Sequence, residues 1–389
     1  MGEIIDTISI KGYKSIRDLE AFKLGFINVL IGPNGAGKSN FVSLFRLLRD
    51  LMDEKLQLAL ATEGGADAFL HLGPKVTKEF SIKLMFGQNG YEFTLQPTVD
   101  NRLVFVSESS IYTGWRVHGS EHHKYFGSGH FESQLKARKD DPGAQFDRGQ
   151  SYYTFEALSS WVVYHFHDTS LSSGVRRQGG INDNVSLRWN AENLAAFLYM
   201  LQSTHLASYE KIRDVVRLAA PFFDDFQLRP VPSNPEKIQL EWRQRGSDYP
   251  LLASQLSDGT LRFICLATAL LQPSPPSTML FDEPELGLHP YALSLLGGMI
   301  QKSIAPGGIP VRQIILSTQS ALLINEFVPE DIIVVQRAED QSTFQRLDSE
   351  QLSGWLDDYT LGELWQKNLL GGRPQVDAAH AIPASGAAS

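Results

Sequence analysis

Eight consecutive residues, 32–39, combine glycines, a lysine and a serine at a spacing suited to phosphate chemistry. They read Gly-Pro-Asn-Gly-Ala-Gly-Lys-Ser, the phosphate-loop (P-loop) pattern G-x-x-x-x-G-K-S. Glycines let the backbone curl so that successive N–H groups point at phosphate oxygens. In this pattern Lys38 contacts the β- and γ-phosphates, and the Ser39 hydroxyl binds Mg²⁺. The residues predicted to bind ATP here are Gly32, Pro33, Asn34, Gly35, Ala36, Gly37, Lys38, Ser39 and Asn40.

Two adjacent carboxylates, Asp282 and Glu283, follow the apolar run at residues 279–281. A buried strand that ends in two acids is costly unless a cation or a hydrogen-bond donor lies there. We expect Asp282 to serve Mg²⁺ together with Ser39. Glu283 would polarise the attacking water as a general base, with Lys38 as the second catalytic residue.

A third motif, Leu-Ser-Asp-Gly-Thr-Leu-Arg at residues 256–262, begins an apolar helix. Ser257 is placed to cap that helix, and Gly259 beside it completes a corner able to bind an anion. Taken alone, the pattern equally describes a well-capped helix without a ligand.

These motifs require strands and helices that hold them together. An apolar run at residues 26–31 precedes the P-loop, and a helix is predicted from Asn40 to Met52, continuing toward Leu60. From Ser257 onward, helices and strands alternate, which predicts an α/β fold with a parallel sheet. The predicted order is a helix from Ser257 to before Pro273, a strand at 279–281, a helix at 290–303, a strand at 313–316, a helix at 321–326 and a strand at 332–335.

The remaining segments are read from periodicity. Residues 79–106 alternate like an antiparallel hairpin or meander with a turn at residues 88–90, and residues 107–152 are expected to be a solvated loop. A zinc site in that loop was the alternative, but no cysteine or well-spaced carboxylate completes it. The other expected elements are strands at 3–10, 161–167 and 226–243 and helical structure at 191–223, and the zinc alternative would use His118, His122, His123 and His130.

Composition restricts the class of protein. The chain has 389 residues, of which 42% are hydrophobic and 20% charged, as in ordinary globular proteins. Its net charge of −9 argues against a protein that coats DNA with its whole surface, so a nucleic acid would need a local basic patch. No apolar run is long enough to span a membrane, and the acidic N-terminus lacks a signal-peptide pattern. The single cysteine, Cys265, fits a reducing cytoplasm, where we expect the protein.

Together, the P-loop, Leu-Ser-Asp-Gly-Thr and Asp-Glu-Pro-Glu-Leu-Gly-Leu-His-Pro resemble ABC-type ATPases of the RecF and SMC group. The chain is most similar to the compact bacterial RecF-like predicted ATPases of the AAA family, relatives of the ATPase half of OLD-family nucleases. The resemblance covers roughly residues 1–370. It implies an ABC-type ATPase head with an antiparallel β subdomain and an inserted mixed lobe. The implied division is 1–106 and 231–370 for the head, 107–230 for the lobe and 371–389 for a disordered tail.

The resemblance also implies an ATP-dependent homodimer in which each head completes the other's site. Ser257 and Gly259 would then touch ATP held by the opposite P-loop. Lys14 and Ser15 match an early basic-serine element near the nucleotide. Leu286, Gly287, Leu288 and His289 match a loop that crosses the dimer seam.

Two positions depart from the family pattern. Relatives commonly carry Thr-His-Ser after the next strand, whereas residues 318–320 here read Thr-Gln-Ser. Gln319 can still donate a hydrogen bond to a γ-phosphate oxygen but cannot carry a proton. The glutamine that usually completes the Mg²⁺ shell has no clear counterpart, and Gln88 and Gln96 are equal candidates.

The resemblance favours a switch that couples ATP hydrolysis to DNA repair or DNA maintenance, with DNA or a DNA-processing protein as partner. A phage-defence ATPase acting through a separate effector protein is the alternative, and a transporter ATPase subunit is disfavoured by the inserted lobe and Gln319. No SMC-type coiled-coil arm and no nuclease half are expected. The candidate phosphate contacts are three arginine pairs, Arg176 with Arg177, Arg213 with Arg217, and Arg243 with Arg245.

Overall fold

A computed structural model describes residues 3–114, 121–141, 149–304 and 312–371. In chain order its strands are β1 (Thr7–Tyr13), β2 (Ile16–Lys23), β3 (Ile27–Ile31), β4 (Phe80–Phe86), β5 (Asn89–Pro97), β6 (Leu103–Thr113), β7 (Glu121–Gly127), β8 (Trp161–Tyr164), β9 (Gly179–Gly180), β10 (Phe223–Phe226), β11 (Pro230–Val231), β12 (Asn234–Ile238), β13 (Glu241–Gln244), β14 (Pro250–Leu252), β15 (Thr278–Asp282), β16 (Gln313–Ser317), β17 (Ile332–Ala338) and β18 (Gln341–Arg346). Its helices are α1 (Lys38–Met52), α2 (Leu56–Glu63), α3 (Leu135–Arg138), α4 (Gln150–Ser159), α5 (Leu194–Thr204), α6 (Leu206–Ala219), α7 (Asp258–Leu271), α8 (Pro290–Ser303), α9 (Ala321–Ile324), α10 (Ser349–Leu356) and α11 (Leu361–Gln366).

The central sheet has six strands in the order β18-β17-β3-β16-β15-β8. Strands β17, β3, β16, β15 and β8 are parallel, and β18 joins the edge as the antiparallel partner of β17. The strand before the P-loop and the strand before the acidic pair therefore lie in one sheet, with β16 between them. This confirms the predicted α/β fold with its parallel sheet.

A second six-stranded sheet, β2-β1-β4-β5-β6-β7, is antiparallel throughout and forms the predicted antiparallel β subdomain. Its first hairpin differs slightly from the expected one. Phe86 pairs with Asn89, so the loop is Gly87–Gln88 rather than residues 88–90. Gly87 has φ +57, which a glycine adopts without the steric cost of a side chain.

Alternation along the central strands distributes their side chains between two cores. In β3, Val29 faces a core built with α5–α8, whereas Leu30 faces a core shared with α1 and the antiparallel sheet. Ile314 and Ile315 of β16 divide in the same way. A sheet covered on both faces explains why these strands are almost continuously apolar. Packing on both faces of the sheet also fixes the positions of the strand ends, where the candidate site lies.

Several boundaries differ from the sequence-based expectations. Helix α1 ends at Met52 and α2 is a separate helix, because Glu54 adopts φ +58 between them. The expected loop at 107–152 instead contains the end of β6, β7, α3 and the start of α4. The expected strand at 226–243 is divided among β10, β11, β12 and β13, and the helical region at 191–223 contains α5 and α6.

The predicted division of the chain does not follow the sheets. The 106/107 boundary falls within β6 and the 230/231 boundary within β11. Strand β8, assigned to the inserted lobe, pairs with β15 at the edge of the central sheet. The expected disordered tail lies almost entirely outside the described residues, which end at Gly371.

Within the four described ranges, α1 is the longest helix, with 15 residues. None of the helices in those ranges is long and apolar enough to cross a membrane.

Candidate nucleotide-binding site

Three neighbouring parallel strands place the predicted site residues at one edge of the central sheet. Strand β3 runs into the P-loop, β15 ends at Asp282, and β16 ends at Ser317. The register pairs Asp282 with Ser317 and Ser317 with Leu30, so the three strand ends are level. The carboxyl edge of a parallel sheet is where open α/β folds bind their ligands.

The P-loop folds tightly against the start of α1. Gly37 has φ +114, and a side chain there would collide with Ser342. Lys38 is the first residue of α1, and its Nζ donates to the carbonyl oxygens of Gly32 at 2.7 Å and Pro33 at 3.1 Å. Burial lowers the pKa of Lys38, while nearby carboxylates, Glu283 first, act in the opposite direction. The lysine therefore lies within electrostatic reach of the acids on β15.

Ser342, a residue that the sequence analysis did not single out, connects the P-loop to β18. Its buried hydroxyl lies 2.5 Å from the Ala36 carbonyl oxygen, to which it donates, and 2.7 Å from Ser15 Oγ. Asn40 Nδ2 donates to the same Ser15 oxygen at 2.7 Å. The predicted residues Ser15 and Asn40 are thus brought to the P-loop by one network of hydrogen bonds.

We predict that Ser342→Ala lowers the free energy of unfolding by about 1 kcal/mol, because the buried Ala36 carbonyl loses its donor. Urea denaturation followed by circular dichroism measures this change. Thr343→Ala, at an exposed neighbouring position, is the matched control and should leave stability almost unchanged. Equal stability of Ser342→Ala and wild type would show that Ser342 does not hold the loop.

Lys14 precedes Ser15, and its ammonium group contacts residues of the first two helices and Phe69. Its Nζ donates to Glu63 Oε2 at 2.8 Å and lies 4.8 Å from the ring centre of Phe69. Lys14 and Ser15 line an open cleft of about 480 Å³ that also contains Asn40. The early basic-serine element therefore borders a space next to the phosphate-binding loop.

Asp282 is held by contacts from three other elements. Ser317 Oγ donates to its Oδ1 at 2.6 Å, and Arg46 Nη2 lies 3.6 Å from its Oδ2. His167 Nε2 donates to its main-chain oxygen at 2.7 Å, and Arg46 Nη2 lies 3.3 Å from His165 Nδ1. His165 and His167 were missed in the sequence because only the register of β8 beside β15 brings residues 165–167 to the acidic pair.

Glu283 adopts φ +42, an unfavourable conformation for a residue with a side chain. Such strain often lies at functional positions. Its main-chain N–H donates to Ser317 Oγ at 3.1 Å, and Gln319 Nε2 donates to its Oε1 at 2.5 Å. Gln319 in turn is held through its backbone N–H by Glu285 Oε1 at 2.7 Å. The predicted catalytic residues Glu283 and Gln319 are therefore in direct contact.

Glu285 has one oxygen without a hydrogen-bond partner among the described residues, and burial raises its pKa. It lies close enough to Lys38 for electrostatic attraction. The unpaired oxygen of Glu285 can therefore accept a hydrogen bond from a lysine or another donor at this edge of the sheet.

The signature segment (residues 256–260) lies at the start of α7. Ser257 caps the helix, since its Oγ accepts from the Thr260 N–H at 3.1 Å, as predicted. Ser257 is exposed, and Gly259 packs so closely against the backbone of Gly287 that any side chain there would collide with it. The signature segment and the loop after the acidic pair therefore form one surface of the protein.

Other candidates from the sequence lie elsewhere or have other partners. Gln88 contacts Tyr112 in the antiparallel sheet, and Gln96 lies in β5, so neither is among the described neighbours of Asp282. His123 lies 3.1 Å from Glu121 and His130 lies 2.8 Å from Glu108. Across the described residues no cluster of three or more potential ligands could hold a metal, and His118 lies outside them.

Most of the proposed arginine contacts are occupied by acids. Arg176 is buried, with 4% of its side chain exposed, and pairs with Asp258, so it is not a surface phosphate contact. The paired arginines on α6 and β13 and their partners are Arg213 with Asp214, Arg217 with Asp224, and Arg243 with Asp224. Local charge in these regions is therefore balanced rather than strongly positive.

The residues present fit ATP and Mg²⁺. The curled loop, the buried Lys38 and the exposed Ser39 match a triphosphate, and Asp282 ends a strand at the same edge of the sheet. Oxygen ligands of this kind are those that Mg²⁺ prefers.

The fold is the ABC-type P-loop NTPase fold, and the predicted site residues lie at the carboxyl edge of its central sheet. The chain belongs to the family described as "AAA domain, putative AbiEii toxin, Type IV TA system", which matches residues 27–325. A search of the curated proteins finds no match for this chain.

Solved structures with the same fold include three SMC heads. The chain is similar to an Smc head bound to the C-terminal winged-helix domain of ScpA, with a TM-score of 0.56 and 13% identity over 89% of this chain and 99% of that chain. An Smc head from Pyrococcus furiosus with an extended coiled coil, bound to the C-terminal domain of ScpA, has a TM-score of 0.56 and 13% identity over 91% and 98% of the two chains. An Smc head from Pyrococcus yayanosii, with a coiled coil and joint, has a TM-score of 0.52 and 12% identity over 91% of this chain and 99% of that chain.

Proposed function

We propose that this protein binds and hydrolyses ATP and that two copies close around the nucleotide. The observation that carries the proposal is that the level ends of β3, β15 and β16 bring the P-loop, Asp282 and Glu283 to one sheet edge, with Gln319 bound to Glu283. These groups come from three different strand ends. Their convergence supports phosphate transfer to water better than any structural role.

Each residue has a distinct role in the proposed reaction. Lys38 would neutralise charge on the β- and γ-phosphates, and Ser39 and Asp282 would hold Mg²⁺, which would draw electron density from the phosphates. Glu283 orients the attacking water and accepts its proton. Gln319 fixes the Glu283 carboxylate and would donate a hydrogen bond to the γ-phosphate. The P-loop residues and Asn40 would surround the phosphates.

The nucleoside would occupy the cleft beside Lys14 and Ser15. Asn40, which directly follows the P-loop, lines this cleft and donates to Ser15 Oγ at 2.7 Å. Its volume of about 480 Å³ is within the range of small-molecule sites.

The dimer would be formed through the signature segment. Ser257 is exposed at the N-terminus of α7, where the helix dipole and free N–H groups favour an anion. Ser257 and Gly259 would contact ATP held by the opposite P-loop, and the adjoining residues 286–289 would cross between the two copies.

The biological partner has two candidates. The first is coupling to DNA repair or DNA maintenance, which the likeness to SMC heads supports; two of those heads are bound to domains of ScpA in the solved structures. The family description, which names a toxin–antitoxin system, supports the second candidate, an ATPase of phage defence that acts through an effector protein. The arginines on α6 and β13 favour the second, because their partners are acidic side chains.

ATP turnover with and without duplex and single-stranded DNA tests these roles. We expect Mg²⁺-dependent release of phosphate by the protein alone. If DNA is a partner, it should raise turnover, and binding should weaken steeply with salt. DNA binding that is undetectable at low salt in the presence of ATP would contradict the DNA role. If no phosphate is released in the presence of Mg²⁺ and ATP, the proposed hydrolysis is wrong.

A further inference from the structure

A short stretch after β8, here named the linking segment (residues 166–176), contacts both the acidic pair and the signature segment. Toward the acidic pair, His167 Nε2 donates to the main-chain oxygen of Asp282 at 2.7 Å. Toward the signature segment, its backbone carbonyls accept from two buried arginines. The linking segment is therefore in direct contact with both halves of the proposed site in the same chain.

The first arginine, Arg262, belongs to α7. Its Nε donates to the Phe166 oxygen at 3.0 Å and its Nη2 to the His167 oxygen at 3.2 Å. Its Nη1 donates to the oxygen of Leu286, in the loop after Glu283. Only 8% of Arg262 is exposed, and burial lowers its pKa. One side chain thus joins the signature helix, the linking segment and the loop after the acidic pair.

The second arginine, Arg176, belongs to the linking segment itself, and its guanidinium contacts residues near the start of α7. Its Nε donates to the Thr169 oxygen at 2.7 Å, and its Nη2 binds Asp258 Oδ1 at 2.7 Å. Its Nη1 donates to the oxygens of Ala253 and Leu256, which both lie shortly before α7 in the chain. The guanidinium therefore fixes the residues on either side of Ser257.

Burying these two arginines only to fill space would carry a large free-energy cost. A buried cation costs free energy unless its donors are satisfied, and here most acceptors are main-chain carbonyls. Carbonyl contacts in the fixed fork geometry of a guanidinium define the relative position of two backbone segments. Movement at Asp282 would consequently be transmitted to the start of α7 rather than absorbed.

We propose that Arg176 and Arg262 are positioning residues that couple nucleotide binding at the P-loop and acidic pair to the geometry of the signature segment in the same chain. Binding at one site of the chain would thereby prepare its signature segment to receive the nucleotide of the second copy. This inference rests on the proposed function, and its test separates the two.

The test measures hydrogen exchange of the dilute protein, at concentrations where light scattering shows a monomer. The ligand is Mg²⁺ with the β,γ-imido analogue of ATP, which cannot be hydrolysed. In wild type, exchange should slow both in the P-loop peptide (residues 32–42) and, by about threefold or more, in the signature peptide (residues 256–263). In Arg176→Met the P-loop response should remain and the signature response should be lost. A residue that only supports the fold would change the baseline but not this ligand-induced difference.

Two variants keep the result interpretable. Arg177→Met removes the same charge from the exposed neighbouring arginine and should respond as wild type does. Asp258→Asn weakens the same ion pair from the exposed side, so it should reduce the signature response even if Arg176→Met fails to fold.

Two outcomes would overturn the coupling. One is a signature response in Arg176→Met and Asp258→Asn equal to that of wild type. The other is wild-type protein whose P-loop is protected while its signature peptide does not respond. Absence of protection in the P-loop itself would instead remove the proposed nucleotide binding, and the coupling with it.

Discussion

Lys38→Ala is expected to abolish measurable ATP binding while leaving the fold intact. The hydrogen bonds of the Lys38 ammonium stay within the P-loop, to Gly32 and Pro33, so its loss costs little elsewhere. Charge-assisted hydrogen bonds contribute about 1.5–3 kcal/mol each, and the loss of two lowers affinity by at least about a hundredfold. Titration calorimetry with ATP and Mg²⁺ measures the affinity, and circular dichroism checks the fold.

Lys75→Ala provides the control, because Lys75 is an exposed lysine outside the site. It should bind ATP as wild type does. A Lys38→Ala protein that binds ATP as tightly as wild type would remove the basis of the assigned phosphate site.

The second large effect concerns hydrolysis. Glu283→Gln keeps the shape of the side chain and its contact with Gln319 but removes the carboxylate that accepts the proton. Turnover should therefore fall by at least about a hundredfold, as for the loss of a general base. ATP binding should persist, because Lys38, Ser39 and Asp282 remain. Phosphate release under saturating ATP measures the rate.

Glu339→Gln is a matched control for this variant. Glu339 is also a glutamate with positive φ, at +54, but it is exposed at the turn between β17 and β18. Its replacement should leave turnover unchanged. Turnover of Glu283→Gln within a few-fold of wild type would exclude Glu283 as the base.

Sequence patterns predicted the elements that carry the chemistry because local signals are strong there. The P-loop, the strand before the acidic pair and the capped start of α7 each depend on residues close together in the chain. The structure places them as expected. The antiparallel sheet was also predicted in part, since alternation is clear in β4 and β5.

Contacts between distant strands could not be predicted in the same way. The strand predicted at residues 161–167 exists as the shorter β8 at residues 161–164, yet nothing local shows that it pairs with β15 and brings His167 to Asp282. Ser342 lies 327 positions from Ser15 in the chain, and only the sheet order brings them together. The pair Arg176 and Arg177 suggested a phosphate contact, whereas Asp258 and backbone carbonyls occupy the Arg176 guanidinium here.

The mass of Glu283→Gln in solution, with and without ATP and Mg²⁺, tests the central claim most directly. Trapped nucleotide should hold two copies together, so light scattering should give twice the 43.3 kDa of one chain with ATP and the single mass without it. Adding Ser257→Arg should restore the single mass with ATP, because a bulky side chain would stand where the opposite phosphate docks. That variant also loses the helix cap, at a cost of about 1 kcal/mol, so its fold is checked in parallel. The same mass with and without ATP for Glu283→Gln, or a double variant that still doubles its mass, would contradict the proposed dimer.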